Sequence, residues 1–346
     1  MLKSRTFGAP FNLLAPNLRA SFNIGVWSQN IRGIKYTGGR YFAWGQNGSG
    51  TNYFLATAAT LAGPWVSNTF FPGPIYDVAS NGTNVVVGTL NSGANPALWV
   101  GDATLGSWNV YVPGVSIPRY VEWCSGFNSF VVSGTSDRAY SNATGSSWTV
   151  ASYPSGALSA SCLIYSAALN RYYDVRISSS ISGGMLVYSG TTAASCSLLI
   201  NRGGSTDYIE ASSKAAINAA GTELQFFDWR HYYNFGAGTT TQYVRGAIYN
   251  PTTGALVGQN SYTPGTTTEV LCGATYFPIY NRFIGRTKFG GLVALRITAP
   301  STLTVNYNYN AGYLLPTLGQ NDIDSIISAP AGLVTIADNG QGYTNP

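Results

Sequence analysis

Asn81-Gly82-Thr83-Asn84 followed by Val85-Val86-Val87-Gly88 is the stretch that decides the fold. A four-residue polar turn opens directly into a β-branched run, which is the local signature of a strand leaving a hairpin. The unit recurs. Thr37-Gly38-Gly39-Arg40 leads into Tyr41-Phe42-Ala43-Trp44-Gly45, and Ser125-Gly126-Phe127-Asn128 leads into Ser129-Phe130-Val131-Val132. Aligned on Arg40, Asn84, Ser129, Arg171, Glu223, Arg282 and Leu333, about seven copies follow one another. The early spacings are about 44, 45 and 42 residues, and the later ones stretch into the fifties. A repeat in the forties built of strands predicts a β-propeller.

Each unit is expected to begin with an inner strand: Ile31–Tyr36, Ile75–Ser80, Tyr120–Cys124, Cys162–Ser166, Tyr208–Ser212, Val270–Thr275 and Ile323–Ser328. The fold class is therefore all-β, a propeller of seven blades. The last unit, Ile323 to Pro346, is too short for a whole blade. The strand-like Phe22–Trp27 is expected to complete it, since a propeller must hide the edge of its final blade. Residues 1–20 would form an N-terminal arm and 21–346 a single propeller domain. Ser213–Ala220 alone has helix-like composition and reads as a loop or a single turn ended by Gly221. Tyr232–Thr241 and Thr252–Thr268 read as long hairpin loops of the fifth and sixth units.

Composition narrows function by exclusion. Charged residues are only 9% of the 346, while aromatics reach 14%. This is far from a disordered composition. The net charge of +5 is spread without a Lys/Arg run, so no nucleic-acid footprint is visible. Cys124, Cys162, Cys196 and Cys272 lack zinc-ligand spacing and read as buried thiols, with a Cys162–Cys196 disulfide as the alternative. His231 is the only histidine and has no triad or ligand residues beside it. No metal or cofactor is expected. No apolar run reaches membrane-spanning length, and the N-terminus has no signal-peptide pattern.

The turn Ser141-Asn142-Ala143-Thr144-Gly145-Ser146-Ser147-Trp148 resembles the Asp-box of sialidase-like propellers, with Ala143 where that box has aspartate. Thr57–Trp65 and Gly101–Trp108 are looser copies in phase with the repeat. In that family the box is a structural turn on the outer rim of a blade, so the resemblance implies fold and not activity. Sialidases use an arginine triad, a tyrosine nucleophile with a glutamate, and an acidic proton donor. Arg32, Arg119, Arg202, Arg282 and Glu210 supply such residue types, but no motif around them matches.

The overall texture is similar to that of virion proteins of tailed bacteriophages: low charge, abundant Gly, Asn, Thr and Tyr, and eroded boxes. That resemblance implies a tail, tail-fibre or capsid-surface protein. It would be made in the host cytoplasm and carried in the virion, with other virion proteins and a host-surface glycan or receptor as partners. The alternatives are a glycan-processing enzyme and a soluble lectin-like module.

Candidate ligand contacts lie at or beside the expected inner strands, which surround the channel of a propeller. They are Arg32, Asp77, Arg119, Glu122, Asp207 and Glu210, with Glu269 and Asp324 as further acids. A carboxylate pair there could do glycoside chemistry, or could line a wet channel and pair with arginines. Tyr76, Tyr120, Trp123 and Tyr208 add aromatic surface. Tyr232, Tyr233 and Phe235, beside His231, are the candidate contact cluster in the long insertion.

Overall fold

The computed structural model describes residues 29–47, 52–60, 63–91, 95–153, 159–177, 184–202, 207–209, 214–234, 239–262, 271–277, 282–287, 291–299, 302–310, 326–329 and 332–335. Five antiparallel sheets of four strands each carry the architecture. Sheet one is β1 (Gln29–Thr37), β2 (Arg40–Asn47), β3 (Tyr53–Ala58) and β4 (Val66–Phe71). Sheet two is β5 (Ile75–Ser80), β6 (Asn84–Leu90), β7 (Pro96–Asp102) and β8 (Trp108–Tyr111). Sheet three is β9 (Pro118–Cys124), β10 (Ser129–Gly134), β11 (Asp137–Ser141) and β12 (Trp148–Ser152). Sheet four is β13 (Ser159–Ser166), β14 (Arg171–Ile177), β15 (Met185–Gly190) and β16 (Ser197–Arg202).

The fifth sheet has five strands: β17 (Asp207–Ile209), β18 (Lys214–Ile217), β19 (Leu224–Asn234), β20 (Thr239–Tyr249) and β21 (Leu256–Tyr262). The sixth, again four-stranded, is β22 (Leu271–Phe277), β23 (Arg282–Thr287), β24 (Gly291–Ala299) and β25 (Thr302–Asn310). A hairpin of β26 (Ile326–Ala329) and β27 (Gly332–Thr335) follows. The first strands adjoin one another: β1 lies against β5, β5 against β9, β9 against β13 and β13 against β18. Beyond these, β18 lies against β22, β22 against β26, and β26 against β1. The architecture is all-β and propeller-like.

The alternating directions of Val85, Val86 and Val87 explain how the sheets stack. Alternate side chains of a strand face opposite ways. Val85 and Val87 pack with Phe42, Trp44, Leu55 and Phe71 of sheet one. Val86 packs with Val121, Phe130 and Val132 of sheet three. The middle sheet is therefore apolar on both faces, which is why its strands read as continuous apolar runs. At the junction of sheets three and four the apolar cluster is smaller: Cys124, Val131, Leu163 and Tyr172. Polar groups fill that junction instead.

Three sequence expectations are corrected. Lys214–Ile217 is strand β18, not a loop or helical turn, because it pairs with Leu224–Phe227 of β19. Cross-strand pairing overrides the weak helix preference of its alanines. Tyr232–Thr241 is not simply a loop: β19 runs on to Asn234, with Tyr232 opposite Thr241 and Tyr233 opposite Thr240. Within Thr252–Thr268, Leu256–Tyr262 is likewise strand, β21, paired with β20. Cys124, Cys162 and Cys196 are free thiols, as the sequence reading has them, and not the alternative Cys162–Cys196 disulfide; Cys196 is half-buried rather than buried. Phe22–Trp27 lies outside the described residues.

The box-like turns work with a shifted acceptor. Between β11 and β12, Asn142 Oδ1 accepts from the Ser146 N–H at 3.0 Å and the Thr144 hydroxyl at 3.1 Å, and the Trp148 indole N–H donates to Gly145 O at 2.7 Å. Between β7 and β8, Asp102 does the same job for Thr104, Gly106 and Ser107. The capping side chain thus sits one residue before Ala143 and Ala103. The fourth turn position has positive φ in both copies, 69° at Gly145 and 64° at Leu105.

The Thr104 hydroxyl chiefly, and the neighbouring N–H groups with it, hold the Asp102 carboxyl well below the usual aspartate range. A depressed carboxylate stabilises the fold above the unfolded aspartate pKa, and that contribution is lost as pH falls through the folded one. Asp102→Asn is expected to keep the turn, as Asn142 does forty residues on, and to remove this acid-dependent part of stability. Urea unfolding of both proteins from pH 7 to pH 2 checks it. An unchanged pH slope would show that Asp102 is not its source.

Candidate inner-strand site

Three first strands bring one lysine and two carboxylates together. Lys35 of β1 places its Nζ 3.1 Å from Asp77 Oδ2 on β5 and 2.7 Å from Glu122 Oε2 on β9. The same ammonium donates to Val121 O at 2.6 Å. Asp77 is held further: Oδ1 accepts from Val78 N–H at 2.8 Å, and Oδ2 from Val121 N–H at 2.9 Å. The side chains are 20%, 11% and 22% exposed for Lys35, Asp77 and Glu122. The arrangement is a half-buried tie across three sheets.

Its electrostatics follow from burial and pairing. Burial alone would lower the Lys35 pKa, but the Asp77 and Glu122 carboxylates outweigh it and push it above the usual lysine value. Burial raises the Glu122 carboxyl, with the Lys35 charge opposing. A raised lysine stabilises the fold fully below its unfolded pKa and loses that contribution only as pH rises through the folded value. Lys35 therefore stays charged throughout the physiological range.

Of the residues expected at the site, Asp77 and Glu122 meet at Lys35. Arg119 is close by on β9 but not part of the tie. Its guanidinium carbon lies 4.5 Å from the Tyr76 ring centroid, in a cation–π stack between β9 and β5. Arg32 is on β1, Asp207 on β17, and Tyr232 and Tyr233 on β19, where the backbone alone is described. Glu210, Phe235, Glu269 and Asp324 lie outside the described residues. Arg202 is on β16, the outermost strand of its sheet, away from the first strands.

The acids pair with a lysine, not with the arginines the sequence suggested. Lys35 itself was not singled out. The signal was present: Lys35, Asp77 and Glu122 are spaced by about 42 and 45 residues, close to the repeat itself.

A second polar group fills the junction of sheets three and four. Arg176 of β14 is 1% exposed and Asp174 is fully buried. Arg176 donates to Ser133 Oγ at 3.2 Å, Gly134 O at 3.0 Å and Thr135 O at 2.7 Å, all in sheet three or the turn after β10. It stacks 3.9 Å from the Tyr153 ring centroid, and the Tyr153 hydroxyl donates to Asp174. Burial raises the Asp174 carboxyl, opposed by Arg176. In return, Arg138 of β11 donates to Ala193 O and Ala194 O beside sheet four. Two guanidiniums thus cross one junction in opposite directions. Among the described residues, no group of His, Cys, Asp and Glu could hold a metal ion.

No protein-family model matches the chain. None of the curated proteins matches it either. Solved structures do. The hydrazine synthase of Kuenenia stuttgartiensis aligns with TM-score 0.57 at 10% identity, over 76% of this chain and 75% of that one. A chain of the mitotic checkpoint complex aligns with TM-score 0.60 at 10% identity, over 92% and 87%. An extracellular domain from B. thetaiotaomicron aligns with TM-score 0.53 at 12% identity, over 93% of this chain but 39% of its own. At such identities the likeness is one of fold, and what these proteins share with the chain is an architecture of sequential antiparallel sheets.

Proposed function

We propose that this protein is a non-enzymatic component of a tailed-bacteriophage particle, a propeller that contacts a host surface or neighbouring virion proteins. The observation that carries the non-enzymatic part is the Lys35 tie. A glycosidase needs one carboxyl free to donate a proton and another free to attack or to activate water. Here Asp77 is occupied by two backbone N–H groups and an ammonium, and Glu122 by the same ammonium. Both serve as mechanical ties between sheets. The phage assignment rests on the low charge, the Gly-, Asn-, Thr- and Tyr-rich texture and the eroded boxes of the sequence.

The reading includes a ring of seven blades. The contact of β26 with β1 supports closure, and Phe22–Trp27 would extend the two-stranded β26–β27 sheet to complete the last blade.

The test is density-gradient sedimentation of the native source with detection of this chain. Co-sedimentation with very large particles is expected, and a slow soluble pool alone would sink the particle role. The non-enzymatic part is tested separately by incubating the protein with host-surface polysaccharide. No reducing sugar is expected; release of sugar that is lost in Glu122→Gln would overturn this reading in favour of a glycan-processing enzyme.

A further inference from the structure

The first strands share an irregularity. In β1, Ile31 pairs with Gly45 and Gly33 with Trp44, so Arg32 is one residue more than the partner strand has. Tyr76 of β5, Arg119 of β9, Ser161 of β13 and Cys272 of β22 are extra in the same way. Each bulge falls between the fifth and sixth residues of the second strand of its sheet. In sheet five the first strand is divided at that level: β17 pairs with β19 from its seventh residue, Arg230, and β18 up to its fourth, Phe227. Bulges re-aim side chains and are frequent beside ligand sites. A single one is ordinary; one register kept through the repeat marks a level of the fold.

At that level β5 and β9 carry open chemistry. The Arg119 guanidinium carbon lies 4.5 Å from the Tyr76 ring centroid, so two bulge residues of adjoining sheets touch. Both side chains keep partial exposure, whereas Ser161 at the next bulge is buried. Apart from the stack, Arg119 has no hydrogen bond or ion pair among the described residues. The acids beside it are already taken. Asp77 follows Tyr76 directly, Glu122 lies three residues after Arg119, and both hold Lys35. Arg32 occupies the matching bulge of β1, which adjoins β5.

We propose that Arg119 and Tyr76, at the bulges of β9 and β5, form a binding site for an oxyanion, a carboxylate or a phosphate, with Arg32 of β1 as a basic neighbour. The stack fixes the plane of the guanidinium and leaves its N–H edge open. In that form arginine receives an oxyanion through two parallel hydrogen bonds. The Lys35 tie selects the sign of the ligand: by holding both local carboxylates it leaves the guanidinium without an internal counter-ion. The site is a property of the chain alone and does not depend on the particle reading.

Calorimetric titration of the full chain with glucuronate and with inorganic phosphate, and with glucose as the neutral control, tests this. At least one of the two anions is expected to bind at a single site, more weakly as salt rises. Glucose is expected not to bind. Which anion binds distinguishes a carboxylate from a phosphate ligand. Arg119→Gln should weaken binding by about ten-fold or more, the scale of a charge-assisted hydrogen bond. Arg119→Lys should recover only part of that, since an ammonium lacks the planar fork. Tyr76→Leu, which releases the guanidinium from its stack, should weaken binding by a smaller factor. Thermal melts verify that the variants are folded. Binding of neither anion overturns the proposal, as does binding that glucose matches or that Arg119→Gln leaves unchanged. None of these results bears on whether the chain sediments with particles.

Discussion

Replacing Lys35 with methionine is expected to lower stability by about 3 kcal/mol at pH 7, toward the lower end of the range for breaking a buried ion pair. The methionine fills the space of the lysine stem, so the loss is electrostatic rather than a cavity. Without the ammonium, Asp77 and Glu122 face each other as like charges with little water between them, and Val121 O loses its donor. The pH dependence identifies the cause. Glu122 is already raised by burial, and removing the opposing lysine charge raises it further. A carboxyl whose folded pKa lies above its unfolded one contributes stability at low pH and loses it as pH rises through the folded value. The variant is therefore expected to regain stability between neutral pH and the ordinary glutamate range, where the parent gains less. Adding Glu122→Gln should restore part of the loss at pH 7. Urea unfolding of the two variants and the parent at several pH values measures all of this; parallel curves for Lys35→Met and the parent would show that the tie carries no electrostatic weight.

Arg176→Met is expected to cost more, about 4 kcal/mol, because the site is almost dry and the residue anchors two sheets. The substitution removes three hydrogen bonds to sheet three and the turn after β10, and the stack on Tyr153. It also leaves the Asp174 carboxylate buried with the Tyr153 hydroxyl as its main partner. The double variant Arg176→Met/Asp174→Leu should be markedly more stable than the single one, since a buried charge without its counter-ion costs more than an apolar pair of similar size. Equilibrium unfolding of the parent, the two single variants and the double variant gives the coupling directly. A coupling energy near zero would mean that the two side chains act independently. The junction depends on these groups because its apolar cluster is small, whereas the junction of sheets one and two is filled by Phe42, Trp44, Leu55, Phe71 and Trp99.

The architecture was legible wherever a strand was short, apolar and set off by a polar turn. Ile75–Ser80 was read to the residue, and Cys162–Ser166 lies within β13. The reading failed where pairing, not local composition, decides the outcome: the alanines of Lys214–Ile217 and the Tyr- and Thr-rich extension of β19 become strand only because a partner lies opposite. The box-like turns were legible from their tryptophans, but the acceptors that hold them, Asn142 and Asp102, were not, since they sit one residue before the position where the box has aspartate. A hydrogen-bonding side chain is identified by the N–H groups it reaches, and these depend on the path of the backbone.

The candidate site divides in the same way. The sequence by itself determined that the chain is a serial array of strands, that Asp77 and Glu122 belong to first strands, and that charge is scarce. Hydrophobic periodicity and turn chemistry act over a few residues, so they are written locally. Only the tertiary structure decided that Lys35 pairs with both carboxylates, that Arg119 stacks on Tyr76, and that Arg176 and Arg138 cross the junction of sheets three and four. Those contacts join residues more than 40 positions apart, on different sheets. A charged group finds its counter-ion by distance and burial, and both are properties of packed sheets rather than of the strands taken one at a time.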